Sequence, residues 1–283
     1  MPRSARRSRR PHRTHQTHQT HRTLQTAGAG VAALLALTAC SSSAQSASSA
    51  SSSSSSSELS GTVTVFAAAS LQESFTALGK EFEKEHPGTK VTFSFGGSDT
   101  LAASITGGAP ADVFAAASPK TMATVTDQKD TADAPTTFAR NQLEIATLPG
   151  NPDKVSSLKD LTKSGLKVVL CDKTVPCGSA AQTALEAGNL KLTPVSYEQD
   201  VKSALTKVEL KEADAAVVYK TDVKAAGDKV EGVDFPESAK AINDYPIALL
   251  KNAPNPATAK AFIALVKSAE GQKALTEAGF LKP

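Results

Sequence analysis

From Thr62 to Phe66 polar and apolar residues alternate, the period of a half-buried strand. Leu71, Phe75, Leu78 and Phe82 then recur at helical spacing, and Pro87-Gly88 predicts the end of that helix. Between the two stand three alanines and one serine, Ala67-Ala68-Ala69-Ser70. The succession repeats. Lys90–Phe95 alternates as a second strand, Gly96-Gly97-Ser98 forms a turn, and Leu101 and Ile105 mark a short helix. Asp112–Ala116 is a third short apolar run, and Pro119 sits where a further helix can begin. Beyond it, Leu143–Leu148, Leu166–Leu170, Ala215–Tyr219 and Ile247–Leu250 read as strands. Leu158–Leu161 is a helical turn. A helix with Ala181, Ala184 and Leu185 on one side follows Cys177-Gly178. Val201, Leu205 and Val208 mark the next, and Ala259–Val266 and Gln272–Ala278 close the chain as helices. Strands alternating with helices predict an α/β fold with mainly parallel sheets. No internal repeat is visible in the sequence.

The first 60 residues change this picture by dropping out of it. Arg3, Arg6, Arg7, Arg9 and Arg10 form a basic n-region, and residues 27–37, AGAGVAALLAL, are apolar but too short for a mature span. Small residues follow at Leu37-Thr38-Ala39-Cys40, completing the form of a secretory signal. Leu-Thr-Ala-Cys resembles a bacterial lipobox, which implies cleavage before Cys40 and a lipid on its sulfur. Residues 41–57 are almost all Ser and Ala, with nothing to bury, and read as a flexible tether. His12, His15, His18 and His21 look like a metal tract but lie in the discarded leader, leaving His86 alone in the mature chain.

The leader also distorts the charge. Seven of the 31 basic residues precede Cys40 and no acidic residue does, so 24 basic residues face 28 acidic ones in the mature chain, a net charge of −4. That removes the argument for nucleic acid. Arg140 is the one mature arginine, so no site can grip an anion with several guanidinium forks. Cys171 and Cys177, six residues apart in an exported chain, predict a disulfide rather than a redox or metal pair.

In a sheet of this kind, ligands sit at the carboxyl ends of the strands. A helix that starts there carries unpaired backbone N–H groups and a partial positive charge, an anion site that needs no charged side chain. Small residues let the backbone come close, and a serine adds a hydroxyl donor. Ala67-Ala68-Ala69-Ser70 and Gly96-Gly97-Ser98 both have this form. Either serine alone also fits an ordinary helix N-cap.

TVTVFAAASLQESF, FSFGGSDTLAASITGGAPADVFAAAS, VPCG, EQDVKSAL and AAVVYKTD, in that order, resemble the molybdate-binding proteins of bacterial ABC transporters. The likeness runs from Thr62 to the C-terminus, and AAAS and GAPADVF are its most specific parts. The resemblance implies a two-lobed type II periplasmic-binding-protein fold with two crossing segments and an anion in the cleft. The lobes would be residues 61–140 with 242–283, and 141–241, after a signal peptide at 1–39 and a tether at 40–60. Five contact positions carry over. Ser70 and Ser98 would each give a hydroxyl and an N–H; Cys177 and Val201 would act through backbone N–H groups, and Tyr219 through its phenol. Cys177 departs from the family's usual alanine, and Asp99 stands where the family has a neutral residue. Asp99 is expected to face solvent in the first turn of a helix. By itself Tyr219 reads equally as a core tyrosine.

Molybdate at neutral pH is a tetrahedral dianion without a proton, so a site made of donors alone suits it. Tungstate is nearly the same size and should bind as well; sulfate, another aprotic dianion, is the alternative ligand. The expectation is therefore a monomeric binding protein, not an enzyme, without cofactor or resident metal. A lipid on Cys40 would hold it on the extracytoplasmic face of the cell membrane, where it would serve an ABC permease and its ATPase. An enzymatic reading has little support. Ser156-Ser157-Leu158-Lys159 matches Ser-x-x-Lys, but Ser-Asp-Asn and Lys-Thr-Gly are absent. A ferric-iron binder would need clustered tyrosine, His or carboxylate ligands, and Tyr197, Tyr219 and Tyr245 are far apart in the chain.

Overall fold

The computed structural model describes residues 58–283. The leader, Cys40 and nearly all of the tether lie outside the described residues.

Two five-stranded sheets organise the chain. The first lobe opens with β1 (Gly61–Ala68), α1 (Gln72–Glu85), β2 (Thr89–Gly96), α2 (Ser98–Thr106), β3 (Val113–Ala115), α3 (Pro119–Asp127) and β4 (Thr136–Asn141). One residue later the chain enters the second lobe. There follow β5 (Leu143–Thr147), β6 (Val168–Cys171), α4 (Pro176–Ala187), β7 (Ser196–Glu198), α5 (Val201–Glu209), β8 (Ala215–Tyr219), α6 (Lys220–Ala226) and β9 (Glu231–Val233). Finally β10 (Asn243–Leu249), α7 (Pro256–Lys267) and α8 (Ala269–Glu277) return to the first sheet.

The strand orders are β2-β1-β3-β10-β4 and β7-β6-β8-β5-β9. Each sheet has one reversed strand, β10 or β5, antiparallel to both its neighbours. With the reversed strand set apart, the other four follow the order 2-1-3-4 in both sheets, and the reversed strand lies between the third and the fourth; it is the last strand of the first sheet in the chain and the first of the second. The lobes thus share a strand arrangement, although the sequence shows no repeat. Strand order is a property of connections, and many sequences satisfy one set of connections.

Local sequence explains the elements. In β1, Val63 and Val65 are buried while Thr64 is partly exposed, the period of two. Phe75, Leu78 and Phe82 bury one stripe of α1, and Pro87 follows its last turn. Phe75 and Phe82 both meet Phe262 of α7 edge-on, at 5.9 and 5.7 Å between ring centroids. The core of the first lobe is therefore aromatic. That of the second is mostly Val, Leu and Ala from β5, β6, β8, α4 and α5. The elements without a strong pattern are β4, β7, β9 and α6. β7 and β9 have three residues each, too few to display a period.

Candidate anion-binding site

β1 and β2 run parallel with Ala68 beside Gly96, so both deliver the chain to the same edge of the first sheet. After β1, a single 3₁₀ turn over Ala69–Leu71 leads into α1 and buries Ser70. After β2, Gly97 caps α2 and Ser98 is its first residue. In the second lobe, β6 delivers α4 with Cys177 in its first turn, the turn after β7 delivers α5 with Val201 first, and β8 ends on Tyr219. One cavity touches all five: Ser70, Ser98, Cys177, Val201 and Tyr219. None of the five residues is more than 4% exposed, so the two lobes are closed over it. It leaves about 20 Å³ for the centre of a water-sized sphere.

Two glycines make the approach possible. A methyl group on Gly97 would come within 2.6 Å of the Gln199 carbonyl oxygen of the opposite lobe. One on Gly178 would overlap the Asp172 carbonyl, so only glycine lets the start of α4 pack onto the end of β6. The Cys171–Cys177 disulfide ties the same two segments, with 5.8 Å between the Cα atoms.

Among the described residues, the wall carries no lysine or arginine. Its one charged residue is Asp200, the N-cap of α5, whose two carboxylate oxygens accept from the N–H and hydroxyl of Ser203 at 2.9 and 3.0 Å. As first-turn amides, those of Cys177 and Val201 have no carbonyl within their own helices to bond. Ser98 Oγ accepts from the Ala117 N–H at 3.0 Å. Ser70 Oγ lies 2.8 Å from Tyr245 Oη. Tyr219 Oη accepts from Asn243 Nδ2 at 2.9 Å. Burial is the main reason both phenols are held above their ordinary pKa, so both stay protonated.

Behind the second lobe's donors lies an ionic cluster around the buried Asp222. Lys202 Nζ sits 3.1 Å from Asp222 Oδ1, at an angle that leaves that oxygen without a hydrogen bond, and 2.9 Å from Glu73 of the first lobe. Asp222 Oδ2 accepts from the Tyr219 N–H at 3.2 Å. Burial raises the Asp222 carboxyl to about 6, against the lowering pull of the Lys202 ammonium. Lys202 itself is held above its ordinary value: its burial works against this, and the Asp222 and Glu73 carboxylates outweigh it.

Two expectations need correction. Asp99 is off the cavity wall and half-buried rather than solvent-facing; its Oδ1 is shielded from water and has no hydrogen-bond partner among the described residues. The tyrosines are not all apart: Tyr219 and Tyr245 meet with ring centroids 6.1 Å apart. They do not make a clustered ferric site: only Tyr219 of the two lines the cavity, and among the described residues no histidine lines it and no carboxylate but Asp200, which is engaged by Ser203. The other candidates lie elsewhere. Ser157 caps a 3₁₀ turn and Ser156 bonds Asp160, so the Ser-x-x-Lys match is a helix start. Arg140 pairs with Asp244 at 2.7 Å on the surface. His86 ends α1 against the Phe82 ring.

Sequence reasoning missed the supporting residues Asn141, Ala117, Asn243 and Tyr245. The polar ones are buried where the chain passes between lobes, and a lone Asn or Tyr gives no local signal of that position.

Residues 63–281 match the family model described as bacterial extracellular solute-binding protein. The chain is 45% identical over 222 residues to the molybdate-binding protein ModA of Mycobacterium tuberculosis H37Rv, covering 78% of this chain and 85% of that one. It is 33% identical over 230 residues to ModA of Escherichia coli K12, covering 78% and 89%. The periplasmic molybdate-binding protein of Azotobacter vinelandii superposes with a TM-score of 0.69 at 21% identity, over 78% of this chain and 99% of that one. A two-lobed architecture, a closed interlobe cavity and a match over nearly the whole folded part agree: the chain belongs to the bacterial extracellular solute-binding protein family.

Proposed function

We propose that this protein captures molybdate outside the cytoplasm and presents it to an ABC permease powered by a cytoplasmic ATPase. One observation carries the reading. Donor groups from both lobes converge on a small cavity between them, whose wall holds no cation among the described residues. A dianion without protons can satisfy every such donor. Partial positive charge from the starts of α2, α4 and α5 supplies the attraction that lysines and arginines do not. The small cavity suits one compact group. The names of the relatives at 45% and 33% identity point the same way.

Ser70, Ser98 and Tyr219 donate hydroxyl hydrogens in this account, and Ser70, Ser98, Cys177 and Val201 donate backbone N–H groups. Tungstate binds in the same manner. No covalent step occurs; binding and release follow from opening and closing the lobes. A lipid on Cys40 keeps the protein, as a monomer, near its permease, and the serine tether gives it reach.

Titration calorimetry of the purified mature protein with molybdate, tungstate, sulfate and phosphate tests this. The expected result is saturable uptake of one molybdate or tungstate per chain, with much weaker sulfate and no phosphate. Tight sulfate without molybdate would move the assignment to a sulfate carrier.

A further inference from the structure

Two lobes that close over a ligand must be held together somewhere. Among the described residues, the side-chain hydrogen bonds that cross between them come from Asn141 and Asn243, where the chain passes from one lobe to the other. Bonds at a crossing can persist through a hinge motion, because the segments there turn rather than separate. One contact lies away from the crossings. Lys202, the second residue of α5, brings its Nζ to 2.9 Å from Glu73 Oε1 in the first turn of α1. Among the ion pairs of the described residues, it alone joins the lobes. The rest of the cluster aims this lysine. Asp222, 3.1 Å from the same ammonium, belongs to the second lobe, so that contact stays when the lobes part. Its other oxygen accepts from the Tyr219 N–H. Three donor-bearing segments therefore meet at one ammonium: the start of α5 behind Val201, the end of β8 through Asp222, and the start of α1 through Glu73, three residues after Ser70. The Lys202 side chain is 18% exposed and that of Glu73 50%. Lys202 also lines a groove between the lobes that shares Ala69, Gly96 and Asp200 with the anion cavity.

We propose that Glu73 is a positioning residue for anion capture: it meets Lys202 only when the lobes are closed, and so slows release of the bound anion. This rests on the molybdate reading and adds to it a residue that does not line the cavity. Two effects of Glu73 oppose each other. It is a carboxylate one helical turn from Ser70, close to the place of a dianion. Acting through space alone, it repels the ligand, and its removal tightens binding. Acting through Lys202, it holds the closed form, and its removal loosens binding. An ion pair half open to water contributes modestly, so the expected effect is a factor of a few.

The test compares wild-type protein with Glu73→Gln and Glu73→Lys. The first removes the charge, and the second reverses it against Lys202. Glu73 is half-exposed, so both variants should fold, and calorimetric stoichiometry gives the folded fraction of each. The protein is loaded with radiolabelled molybdate, and release into an excess of unlabelled molybdate is timed at low and at high NaCl. At low salt, release should be about two- to fivefold faster from Glu73→Gln than from wild type, and faster again from Glu73→Lys. Salt screens a partly exposed pair, so high NaCl should speed wild-type release toward the Glu73→Gln rate and affect that variant much less. Faster release that keeps the full wild-type salt dependence would mark a structural loss in α1 and overturn the proposal. Wild-type protein that takes up no molybdate would reject the ligand assignment and this inference with it. Normal uptake, with release from Glu73→Gln no faster than from wild type, would reject this inference alone.

Discussion

The two lobes meet the same cavity with different chemistry. The first presents serine hydroxyls on short junctions, AAAS at the end of β1 and GGS at the end of β2, and braces them with neutral groups: Tyr245, Asn141 and the Ala117 amide. The second presents backbone amides at the starts of α4 and α5, plus one phenol. It braces them with charge and a covalent bond: Asp200 caps α5, Asp222 holds the Tyr219 N–H, Lys202 lies beside Asp222, and a disulfide pins α4 to β6. One strand arrangement, used twice, thus supports two ways of aiming donors. A side-chain donor can be deleted by point mutation, whereas a backbone donor survives nearly any substitution except proline.

That contrast can be broken most sharply at Val201. Val201→Pro removes the N–H where helices best tolerate proline, and Asp200 already has the extended backbone that a following proline requires. Molybdate affinity should drop by about 3 kcal/mol, the upper range for a hydrogen bond to a charged group, with the fold intact by circular dichroism. Val201→Ala keeps the N–H and should change calorimetric affinity little. Equal losses in both would mean that the side chain matters and the amide does not.

Next in size is Ser98→Ala, expected to weaken molybdate by about 1.5–3 kcal/mol in the same titration. It also strands the Ala117 N–H, so the melting temperature should fall as well. Retained affinity would remove Ser98 from the site.

The disulfide separates bracing from binding. In the double variant Cys171→Ser, Cys177→Ala the Cys177 position keeps its N–H. Denaturant unfolding should show a loss of about 2 kcal/mol for so short a loop, while affinity holds within a few-fold. A collapse of affinity at unchanged stability would contradict a backbone role at this position.

The smallest effect concerns pH and should belong to the second lobe. The folded-state pKa of Asp222, about 6, lies above its ordinary value of 3.8. The folded protein therefore binds this proton more tightly than the unfolded chain. Its contribution favours folding at low pH and is lost as pH rises through the folded value. Between about pH 5 and pH 6 it should cost about 1 kcal/mol. Asp222→Asn should flatten that part of the stability profile. A profile unchanged by the substitution would show that Asp222 does not titrate there.

The lobes also differed in how much the sequence revealed. Ala67-Ala68-Ala69-Ser70 and Gly96-Gly97-Ser98 announce themselves because β1 and β2 show clean alternation, α1 and α2 follow at helical spacing, and the residues between are too small for a core. α1 and α4 were legible by helical spacing, and β8 as an unbroken apolar run. Cys177, Val201 and Tyr219 became site candidates only through family resemblance. Nothing local distinguishes the first residue of α5 from any helix start, and Tyr219 closes a fully buried strand where a core tyrosine would look the same. β4, with a partly exposed and unremarkable pattern, was not visible, nor were the three-residue strands β7 and β9. The bracing groups were hidden most deeply. Tyr245 meets Ser70 across 175 residues, and Asn243 meets Ala117 across 126, so only the closed fold brings them together.

The central claim is that uncharged donors from two lobes hold a doubly negative tetrahedron without a cation. A crystal structure with molybdate, its metal located by anomalous scattering at the molybdenum edge, tests this most directly. The account predicts one molybdenum in the cavity, its oxygens in hydrogen-bond contact with Ser70, Ser98 and Tyr219 hydroxyls and with the Cys177 and Val201 amides, and no lysine or arginine among the contacts. A molybdenum peak anywhere else, or one held by a lysine or arginine side chain, would contradict it.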